Sequence, residues 1–491
     1  MTAPPPLLVW FRQDLRIGDN PALTAALTRA KADGHPVIAV YCLDETMHSS
    51  RALGGASRWW LHHSLSRLAE ALATYAIPLI LRKGAAEALL PALIAETGAR
   101  HLYWNRQYES AAIARDTALK TALTAQGVSV ESSNGLLLVE PWEVKTGQGK
   151  PFQVFTAFWR AARPLAASRP PLAAPEPIRL PTPPAIMSEA LESWDLLPTA
   201  PDWAGGLRDT WTPGSAGAFA RLEGFLASRL AAYADARDRP DMSGTSALSP
   251  HLRFGEISPR QIWAALDHAC HGQMGETGPE TFARELGWRE FSYHLLFQNP
   301  EMACKPLRSQ YENFPWQPDA AALSAWQRGL TGYPIIDAGM RQLWHTGWMH
   351  NRVRMLVGSF LVKHLLQPWQ AGEEWFWDTL VDADPASNPA SWQWVAGCGA
   401  DAAPYFRIFN PVLQGEKFDP DGAYVRRWVP ELVHLPTAFI HKPWDAPPLV
   451  LRSAGLSLGQ TYPRPIIDLS YGRDRALAAL KSLSNLQPES L

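Results

Sequence analysis

Four side chains able to do chemistry recur at helical spacing in the C-terminal half of the chain. At positions i, i+3, i+4 and i+7 of one stretch stand Glu285, Trp288, Arg289 and Ser292. A helix would carry all four on one face. A carboxylate, a guanidinium, a hydroxyl and an indole on an inward face are typical of a pocket that binds a ligand. An amphipathic helix with one tryptophan stacked in the core has the same pattern, and spacing alone favours that simpler interpretation.

Two further segments carry polar groups that suit a ligand. Asn351 and Met355 are four residues apart, with Arg354 beside them. The loop 244–250 (GTSALSP) offers backbone N–H groups and three hydroxyls ahead of a helical stretch. Such a loop can hold phosphates, although a plain capped loop has the same composition.

A last group combines carboxylates with aromatic residues. Asp382 and Asp384 are followed by Asn388 before a proline, and then by Trp392 and Trp394. The carboxylates could ligate a metal, act as acid and base, or accept hydrogen bonds from sugar hydroxyls and arginine. No further ligand nearby completes a metal site, so no metal is expected. An asparagine before proline is also a ready N-cap for a helix.

The elements that must position these residues fall into two classes. Apolar runs typical of buried strands occupy 7–11, 37–44, 78–84, 101–107 and 128–134, and helical stretches lie between them near 19–33, 58–76, 85–98 and 109–126. This alternation predicts an α/β domain with a doubly wound parallel sheet. The dinucleotide fingerprint GxGxxG does not follow the first strand.

The remainder divides into a linker and a large all-α domain. Residues 168–184 contain seven prolines, which predicts an extended segment. Beyond residue 215 the pattern is helical, with Ser258-Pro259 and Pro334 as helix starts. The predicted domains are therefore 5–134, a proline-rich linker 135–214 and a helical domain 215–485.

Composition narrows the class of protein further. The 491 residues are 46% hydrophobic and 19% charged, which is typical of a globular protein. No apolar run approaches the roughly 20 residues that span a bilayer, and the N-terminus does not read as a signal peptide. Four scattered cysteines without a CxxC pair indicate reduced thiols in the cytoplasm. The net charge of −2 argues mildly against nucleic acid, whereas the 22 tryptophans suit stacking on a planar cofactor or on bases.

Three long stretches resemble one known family. They are VWFRQDLRIGDNPAL (9–23), TGYPIIDAGMRQLWHTGWMHNRVRM (331–355) and DADPASNPASWQWVAGCGADAAPYFRIFNP (382–411). Their length, composition and order resemble the photolyase/cryptochrome family, and the resemblance covers roughly residues 7–475. It implies an antenna-binding α/β domain and a helical domain that binds FAD and DNA.

The resemblance implies an FAD site in the helical domain. The matching positions are Tyr233, Thr245, Ser246, Ala247, Leu248, Ser249, Trp348, Asn351, Arg354, Asp382, Asp384 and Asn388. Residues 245–249 would meet the pyrophosphate, Arg354 would pair with Asp382 beside the isoalloxazine ring, and Asn388 would face flavin N5.

The resemblance also implies a pocket for damaged DNA that contains pyrimidine dimers. Its matching positions are Arg237, Glu285, Trp288, Asn351, Arg352, Met355 and Trp394. The two tryptophans would stack on an extruded thymine pair, and Glu285 would hydrogen-bond its bases. Ser292 replaces a tyrosine usual in the family, which could loosen substrate contacts unless Tyr293 compensates. Candidate phosphate contacts are Arg352, Lys417, Arg426 and Arg427, with a solvated surface cation as the alternative for each.

Electron supply and light harvesting are implied in the same way. Trp392, Trp369 and Trp316 match the tryptophan chain of the family, which lets electrons reach the flavin. Glu109 matches a folate contact, and Cys304-Lys305 resembles a second contact with an offset of one residue. The expected antenna is 5,10-methenyltetrahydrofolate, with a deazaflavin, a flavin or no antenna as alternatives.

The expected activity is light-driven repair of cyclobutane pyrimidine dimers, a carbon–carbon lyase reaction. Asn351 and Asn388 favour it, because cryptochromes of the plant type tend to carry acidic residues there and (6-4) photolyases place a histidine at Asn351. The alternatives are a (6-4) photolyase or a blue-light photoreceptor without repair, although the short segment after Arg473 leaves little room for a signalling tail. The chain resembles bacterial members of class I or class III. We expect a monomer in the cytoplasm, without a membrane or an obligate protein partner.

Overall fold

The computed structural model describes residues 4–45, 51–177, 179–272, 274–275, 277–401 and 406–484. Five parallel strands form the sheet of the N-terminal part: β1 (Leu7–Phe11), β2 (Val37–Leu43), β3 (Leu79–Lys83), β4 (His101–Asn105) and β5 (Ser129–Ser133). Their order across the sheet is β3-β2-β1-β4-β5. The five predicted strands and the doubly wound α/β class are confirmed.

Four helices cover the two faces of this sheet: α1 (Pro21–Asp33), α2 (Gly55–Ala73), α3 (Ala86–Thr97) and α4 (Ser110–Ala125). Alternate residues of β1 enter different cores. Val9 packs with residues of α1 and α2, whereas Trp10 packs with residues of α3 and α4. Because both faces are covered, every residue of β1 is buried, which explains its unbroken apolar run.

The rest of the described chain is helical apart from turns and extended connections. Its α-helices are α5 (Phe155–Ala167), α6 (Gly205–Thr210), α7 (Ser215–Ser228), α8 (Tyr233–Ala236), α9 (Ser249–Arg253), α10 (Pro259–Ala269), α11 (Thr277–Gln298), α12 (Ala320–Gln327), α13 (Pro334–Thr346), α14 (Asn351–Ser359), α15 (Trp369–Thr379), α16 (Ser387–Ala396), α17 (Pro411–Phe418), α18 (Ala423–Trp428), α19 (Pro448–Ser453) and α20 (Leu469–Ser484). A π-helical turn (Phe360–His364) continues α14. Single 3-10 turns occur at Leu191–Trp194, Ser309–Asn313, Pro430–Leu432, Thr437–Phe439 and Pro443–Asp445.

The predicted helix starts are in place. Ser258 caps α10. Its side chain accepts from the Gln261 N–H at 3.0 Å, and the Ser258 N–H donates to Oε1 of Gln261. This reciprocal capping box satisfies two donors that a helix N-terminus leaves free. Pro334 stands at the first turn of α13, as expected.

The segment predicted as a linker is only partly extended. Residues 168–184 contain no helix or strand where the structure describes them. Upstream of them, however, α5 forms a regular helix, and its Phe155, Phe158 and Trp159 lie in one core cluster with Phe291 of α11. This stretch therefore contributes to the helical core; the domain boundaries themselves stay a prediction.

The two parts meet through a packed interface. Trp60 of α2 is fully buried, and its Nε1 donates to Oε1 of Glu256 at 3.0 Å. The same core cluster includes Phe254 and Val381 from the helical part. All four cysteines are free thiols. Within the described ranges, no helix combines the length and apolarity needed to cross a membrane, and no cluster of three or more His, Cys, Asp or Glu side chains could hold a metal ion.

Candidate functional site

One cavity of about 580 Å³ gathers most of the residues that the sequence singled out. It lies in the helical part and falls in the range of roughly 300–1,000 Å³ typical of ligand pockets. Among its lining residues are Tyr233, Arg237, Thr245, Ser246, Ala247, Leu248, Ser249, Glu285, Trp288, Trp348, Asn351, Arg352, Arg354, Met355, Asp382, Asp384, Asn388, Trp392 and Trp394. Three expected site residues, Glu109, Trp369 and Trp316, lie outside this lining.

Helix α11 presents one face to the cavity, as its spacing suggested. Glu285, Trp288, Arg289 and Ser292 all line it. Trp288 stacks on Phe155 of α5, with ring centroids 3.8 Å apart and planes 9° apart. One face of the indole is therefore covered by protein, and the residue still borders the cavity.

Two ion pairs lie where the cavity opens. Arg237 donates to Oε1 of Glu285 at 2.5 Å, and Arg352 donates to Oδ2 of Asp238 at 2.5 Å. Burial raises the pKa of Glu285, and the charge of Arg237 opposes that shift. Asp238 and Arg352 also line an adjoining groove of about 870 Å³, in which Lys417 lies.

Deeper in the cavity, Arg354 and Asp382 form a bifurcated pair. One guanidinium nitrogen of Arg354 donates to both carboxylate oxygens of Asp382, at 2.8 and 3.1 Å. Nε of Arg354 donates to the Met349 carbonyl at 2.8 Å. These bonds hold the guanidinium against one wall, where its charge can meet an anionic ligand.

The Asp384 carboxylate forms its hydrogen bonds with other groups of the protein. It accepts from the backbone N–H groups of Ala386 and Ser387, at 2.9 and 2.7 Å, and so caps α16. It also accepts from the Tyr293 hydroxyl at 2.8 Å. Tyr293 is buried in this bond, so it does not compensate for Ser292 at the cavity surface.

Asn388 has a different role from the N-cap that its place before a proline suggests. Helix α16 begins at Ser387, so Asn388 lies inside the first turn. Its side chain instead donates to Glu373 of α15, to the main-chain oxygen at 3.1 Å and to Oε1 at 2.8 Å. The capping function belongs to Asp384.

The loop 245–249 offers donors to the cavity. Within the described part of the chain, no protein atom accepts from the backbone N–H groups of residues 245–248. Ala247 has a positive φ of 51°, which turns the backbone sharply before α9. The Ser249 hydroxyl accepts from Nε1 of Trp348 at 3.3 Å. Free backbone N–H groups beside hydroxyls suit the phosphates of a nucleotide cofactor.

The three tryptophans of the expected electron chain differ in burial and in their relation to the cavity. Trp392 lines the cavity and is buried, with its ring centroid 4.9 Å from that of Phe376. A Cβ on Gly372, one turn after Trp369 in α15, would lie 2.2 Å from the Trp392 ring. Helix α15 therefore packs directly on Trp392. Trp369 is buried and Trp316 is half-buried.

The expected antenna contacts, Glu109 and Cys304-Lys305, interact with different neighbours. Glu109 precedes α4, and burial raises the pKa of its carboxyl while Arg253 opposes the shift. Cys304 is exposed, and its carbonyl accepts from Gln370 at 3.1 Å. Among the described residues, no hydrogen bond or ion pair joins Cys304 or Lys305 to Glu109.

The candidate phosphate contacts also differ from one another. Arg426 donates to the carbonyls of Asp421, Val433 and Leu435, so its guanidinium stabilises the local backbone. Arg427 is exposed. Lys417 and Arg352 line the same groove, which brings two cations beside the cavity mouth.

Sequence reasoning missed several groups that shape the cavity. They are Arg51, Phe155, Asp238 and Glu373. Phe155 lay in the segment assigned to a linker, and no sequence pattern distinguishes Arg51, Asp238 or Glu373 from ordinary surface residues. Only the tertiary contacts identify them.

The cavity fits a dinucleotide-sized flavin. Free backbone donors and hydroxyls lie at one part of its lining, a fixed guanidinium and carboxylate pair at another, and an amide at Asn388. This donor set suits a pyrophosphate together with a polar ring system.

Comparison with protein families agrees with this site. The family model described as "FAD binding domain of DNA photolyase" matches residues 282–482, and the model described as "DNA photolyase" matches residues 7–177. The chain is thus an FAD-binding protein of two-part architecture. It belongs to the DNA photolyase family.

Individual relatives cover nearly the whole chain. A deoxyribodipyrimidine photo-lyase of Agrobacterium fabrum is 52% identical over 479 residues, covering 96% of this chain and 97% of that protein. Cryptochrome-1 of Arabidopsis thaliana is 39% identical and covers 98% of this chain, which spans 71% of the plant protein. The crystal structure of a bacterial class III photolyase from Agrobacterium tumefaciens matches with a TM-score of 0.93 at 50% identity, covering 99% of this chain and 98% of that one.

Proposed function

We propose that this protein is a deoxyribodipyrimidine photo-lyase that splits cyclobutane pyrimidine dimers in DNA with light. One observation carries the proposal: a single cavity holds the flavin-type polar groups and, beside them, Trp288 and Trp394 next to a basic groove. When bound by these residues, FAD in its reduced form would supply the light-driven electron chemistry that splits the dimer without net redox change. A cofactor and an extruded pyrimidine dimer in one cavity need no electron carrier between them.

The inner residues hold the cofactor. The N–H groups and hydroxyls of 245–249 bind its pyrophosphate, and the Arg354 guanidinium lies where it can neutralise an anionic ring. Asp382 fixes that guanidinium through two hydrogen bonds. Asn388 places an amide beside the ring edge.

The mouth residues bind the lesion. A dimer inside a duplex must leave the stack, as photolyases are known to require, and its poor stacking lowers the cost. Trp288, backed by Phe155, and Trp394 provide apolar surfaces for the extruded bases. Glu285 hydrogen-bonds the bases, while Arg237 holds its carboxylate in place. Arg352 and Lys417 contact the flanking phosphates.

Trp392, Trp369 and Trp316 conduct electrons inward to the cavity, which restores the reduced cofactor after accidental oxidation. The burial of Trp392 and Trp369 and the partial exposure of Trp316 support this direction, since the last member must meet an external reductant.

Among the alternatives, a (6-4) photolyase would need a histidine proton donor over the lesion. His350 precedes Asn351 but is buried as the cap of α14, where its ring accepts from the Arg352 N–H at 3.2 Å. A photoreceptor without repair is less supported, because the identity to the photo-lyase is 52% and that to the plant cryptochrome 39%. The class III neighbour favours that subclass.

We further propose 5,10-methenyltetrahydrofolate as the antenna, held with the help of Glu109, and a monomer that works on DNA in the cytoplasm. A deazaflavin or flavin antenna is the alternative. Absorption spectra of the protein reconstituted with each pigment, and light scattering of the DNA complex, test these points.

The test of the activity uses the protein with chemically reduced FAD and two oligonucleotides, one with a cyclobutane thymine dimer and one with a (6-4) product. Chromatography follows each lesion in blue light and in darkness. Light-dependent loss of the cyclobutane dimer alone is expected. Loss of neither lesion, with FAD bound, would overturn the enzymatic assignment in favour of a photoreceptor.

A further inference from the structure

The orientation of the Asn388 amide is fixed by the protein. Its Nδ2 donates to two atoms of Glu373, the main-chain oxygen at 3.1 Å and Oε1 at 2.8 Å. Both atoms are acceptors, so the amide can face them only with its nitrogen. Its oxygen must then point away from Glu373. Because Asn388 lines the cavity, this oxygen is the group that it offers to a ligand.

Glu373 is in turn held by a residue from the α/β part of the chain. Arg51, which precedes α2, donates to Oε1 of Glu373 at 2.8 Å and lies 2.7 Å from Oε2. The carboxylate is 1% exposed and the Arg51 side chain 33%. Burial raises the pKa of Glu373, and the charge and hydrogen bond of Arg51 oppose that shift. An arginine at the edge of the interface thus favours the ionised form of a buried carboxylate.

We propose that Arg51 and Glu373 are positioning residues that act through Asn388 on the flavin, and that they favour the forms protonated at N5. The proposal rests on the proposed function, in which Asn388 faces N5. An amide oxygen accepts a hydrogen bond from N5–H, whereas an amide nitrogen would donate to an unprotonated N5. A carboxylate bound to the amide nitrogen also polarises the amide and makes its oxygen a better acceptor.

If these contacts had a purely structural role, their loss would change the stability of the protein and not the protonation of the flavin. Arg51 would then only join the two parts of the protein, aided by its stacking 5.0 Å above the Trp377 ring. Its loss would lower stability but leave the protonation of the flavin unchanged.

The experiment uses the full-length FAD-loaded protein and the variants Arg51→Gln, Glu373→Gln and the double variant. Arg58→Gln is the matched control, because Arg58 lies on α2 and pairs with Glu45 instead. Light in the presence of an added thiol produces the one-electron-reduced flavin. Its absorption spectrum, titrated with pH, reports the pKa of N5–H.

We expect that pKa to fall by about one unit in Arg51→Gln and in Glu373→Gln, a tenfold change in the protonation equilibrium. Arg58→Gln should match the wild type, and the double variant should match Glu373→Gln, because Arg51 acts through Glu373. Equal values in Arg51→Gln and Arg58→Gln would overturn the proposal, as would a wild-type flavin that stays unprotonated at N5 near neutral pH. If Glu373→Gln fails to fold, the pKa of N5–H in Arg51→Gln still tests the proposal, because Arg51 is partly exposed and its replacement is better tolerated. Failure of the wild type to bind FAD or to repair dimers would instead refute the proposed function.

Discussion

The deep wall of the cavity and its mouth are both built from charged pairs, but the carboxylates of the two regions differ in exposure, whereas their arginines are similarly exposed. On the deep wall, which comprises Arg354, Asp382, Asp384 and Asn388, the Asp382 side chain is 3% exposed. At the mouth, which comprises Arg237, Asp238, Glu285 and Arg352, the Glu285 and Asp238 side chains are 31% and 32% exposed. Enclosed pairs are screened little, whereas pairs open to solvent are weakened by salt and exchange readily.

This difference matches two tasks. A cofactor that stays bound is best held by polar groups whose orientation is already fixed by hydrogen bonds within the protein. A DNA lesion that enters and leaves needs cations that are held in place yet can exchange an exposed carboxylate for a phosphate. We therefore expect substitutions in the deep wall to alter cofactor binding and stability, and substitutions at the mouth to alter DNA binding.

The largest effect should follow from Arg354→Met. It leaves Asp382 buried without its partner, which typically costs about 3–5 kcal/mol. The free energy of unfolding and the ratio of FAD to protein should both fall sharply, as denaturant titration and absorption spectra would show. Arg208→Met is the control, because the Arg208–Asp202 pair is exposed and its loss should change neither quantity. Normal FAD content in Arg354→Met would contradict the assignment of the deep wall.

A smaller effect is expected at the mouth. Trp288→Ala removes an aromatic surface that is worth about 1–3 kcal/mol per stacked base. The Kd for DNA carrying a cyclobutane dimer should rise, while the Kd for undamaged DNA stays the same. Fluorescence anisotropy measures both. Trp344→Ala, at a tryptophan that is 59% exposed, is the control. Equal weakening toward both DNAs would argue against lesion stacking at Trp288.

The free energy of unfolding should depend on pH through His350, the buried N-cap of α14. Burial lowers the pKa of His350 to about 4 from an ordinary 6.5. The unfolded chain therefore binds a proton first as the pH falls, so the stabilisation from neutral His350 is present above pH 6.5 and is lost below it. At pH 5.5 the loss is about 1.4 kcal/mol. His350→Asn keeps an N-cap acceptor but removes the titration, so its unfolding free energy should vary less between pH 7 and 5.5. An unchanged pH dependence would contradict the burial of a neutral His350.

The smallest effect concerns the groove. Lys417→Gln removes one cation, so the slope of log Kd against log salt should fall by about 0.9 for duplex DNA. Undamaged and damaged DNA should be affected alike, since phosphates carry no lesion information. Lys31→Gln, an exposed change on α1, should leave the slope unaltered. The same slope in Lys417→Gln and the wild type would show that the DNA does not contact the groove at Lys417.

The sequence predicted the fold well because its signals are local. Alternating apolar runs and helical stretches identified all five strands, and Ser258-Pro259 identified a helix start. The cavity lining was also predictable, since residues such as Glu285 and Trp288 share one helix face. The resemblance to a family added the assignment of the loop 245–249, Asp382 and Asp384 to an FAD site.

What the sequence left undetermined depends on contacts between distant segments. Arg51 and Glu373 are 322 residues apart in the chain and meet only in the folded protein. Phe155 lies in a region whose prolines suggested a linker, yet it backs the indole of Trp288. Asn388 looked like a helix cap, but Asp384 accepts from the N–H groups at the start of α16, and the Asn388 amide donates to Glu373 instead. Each case is a tertiary contact that overrides a local preference.

Repair by this protein requires that the lesion enter the cavity that holds the flavin and receive its electron there. The most direct measurement is the fluorescence lifetime of the reduced flavin with a duplex that carries one cyclobutane dimer, compared with the same duplex undamaged. A shortened lifetime with the damaged duplex alone, lost together with lesion affinity in Trp288→Ala, is the predicted result. An unchanged lifetime while the damaged duplex is bound would show that the lesion does not receive its electron in this cavity.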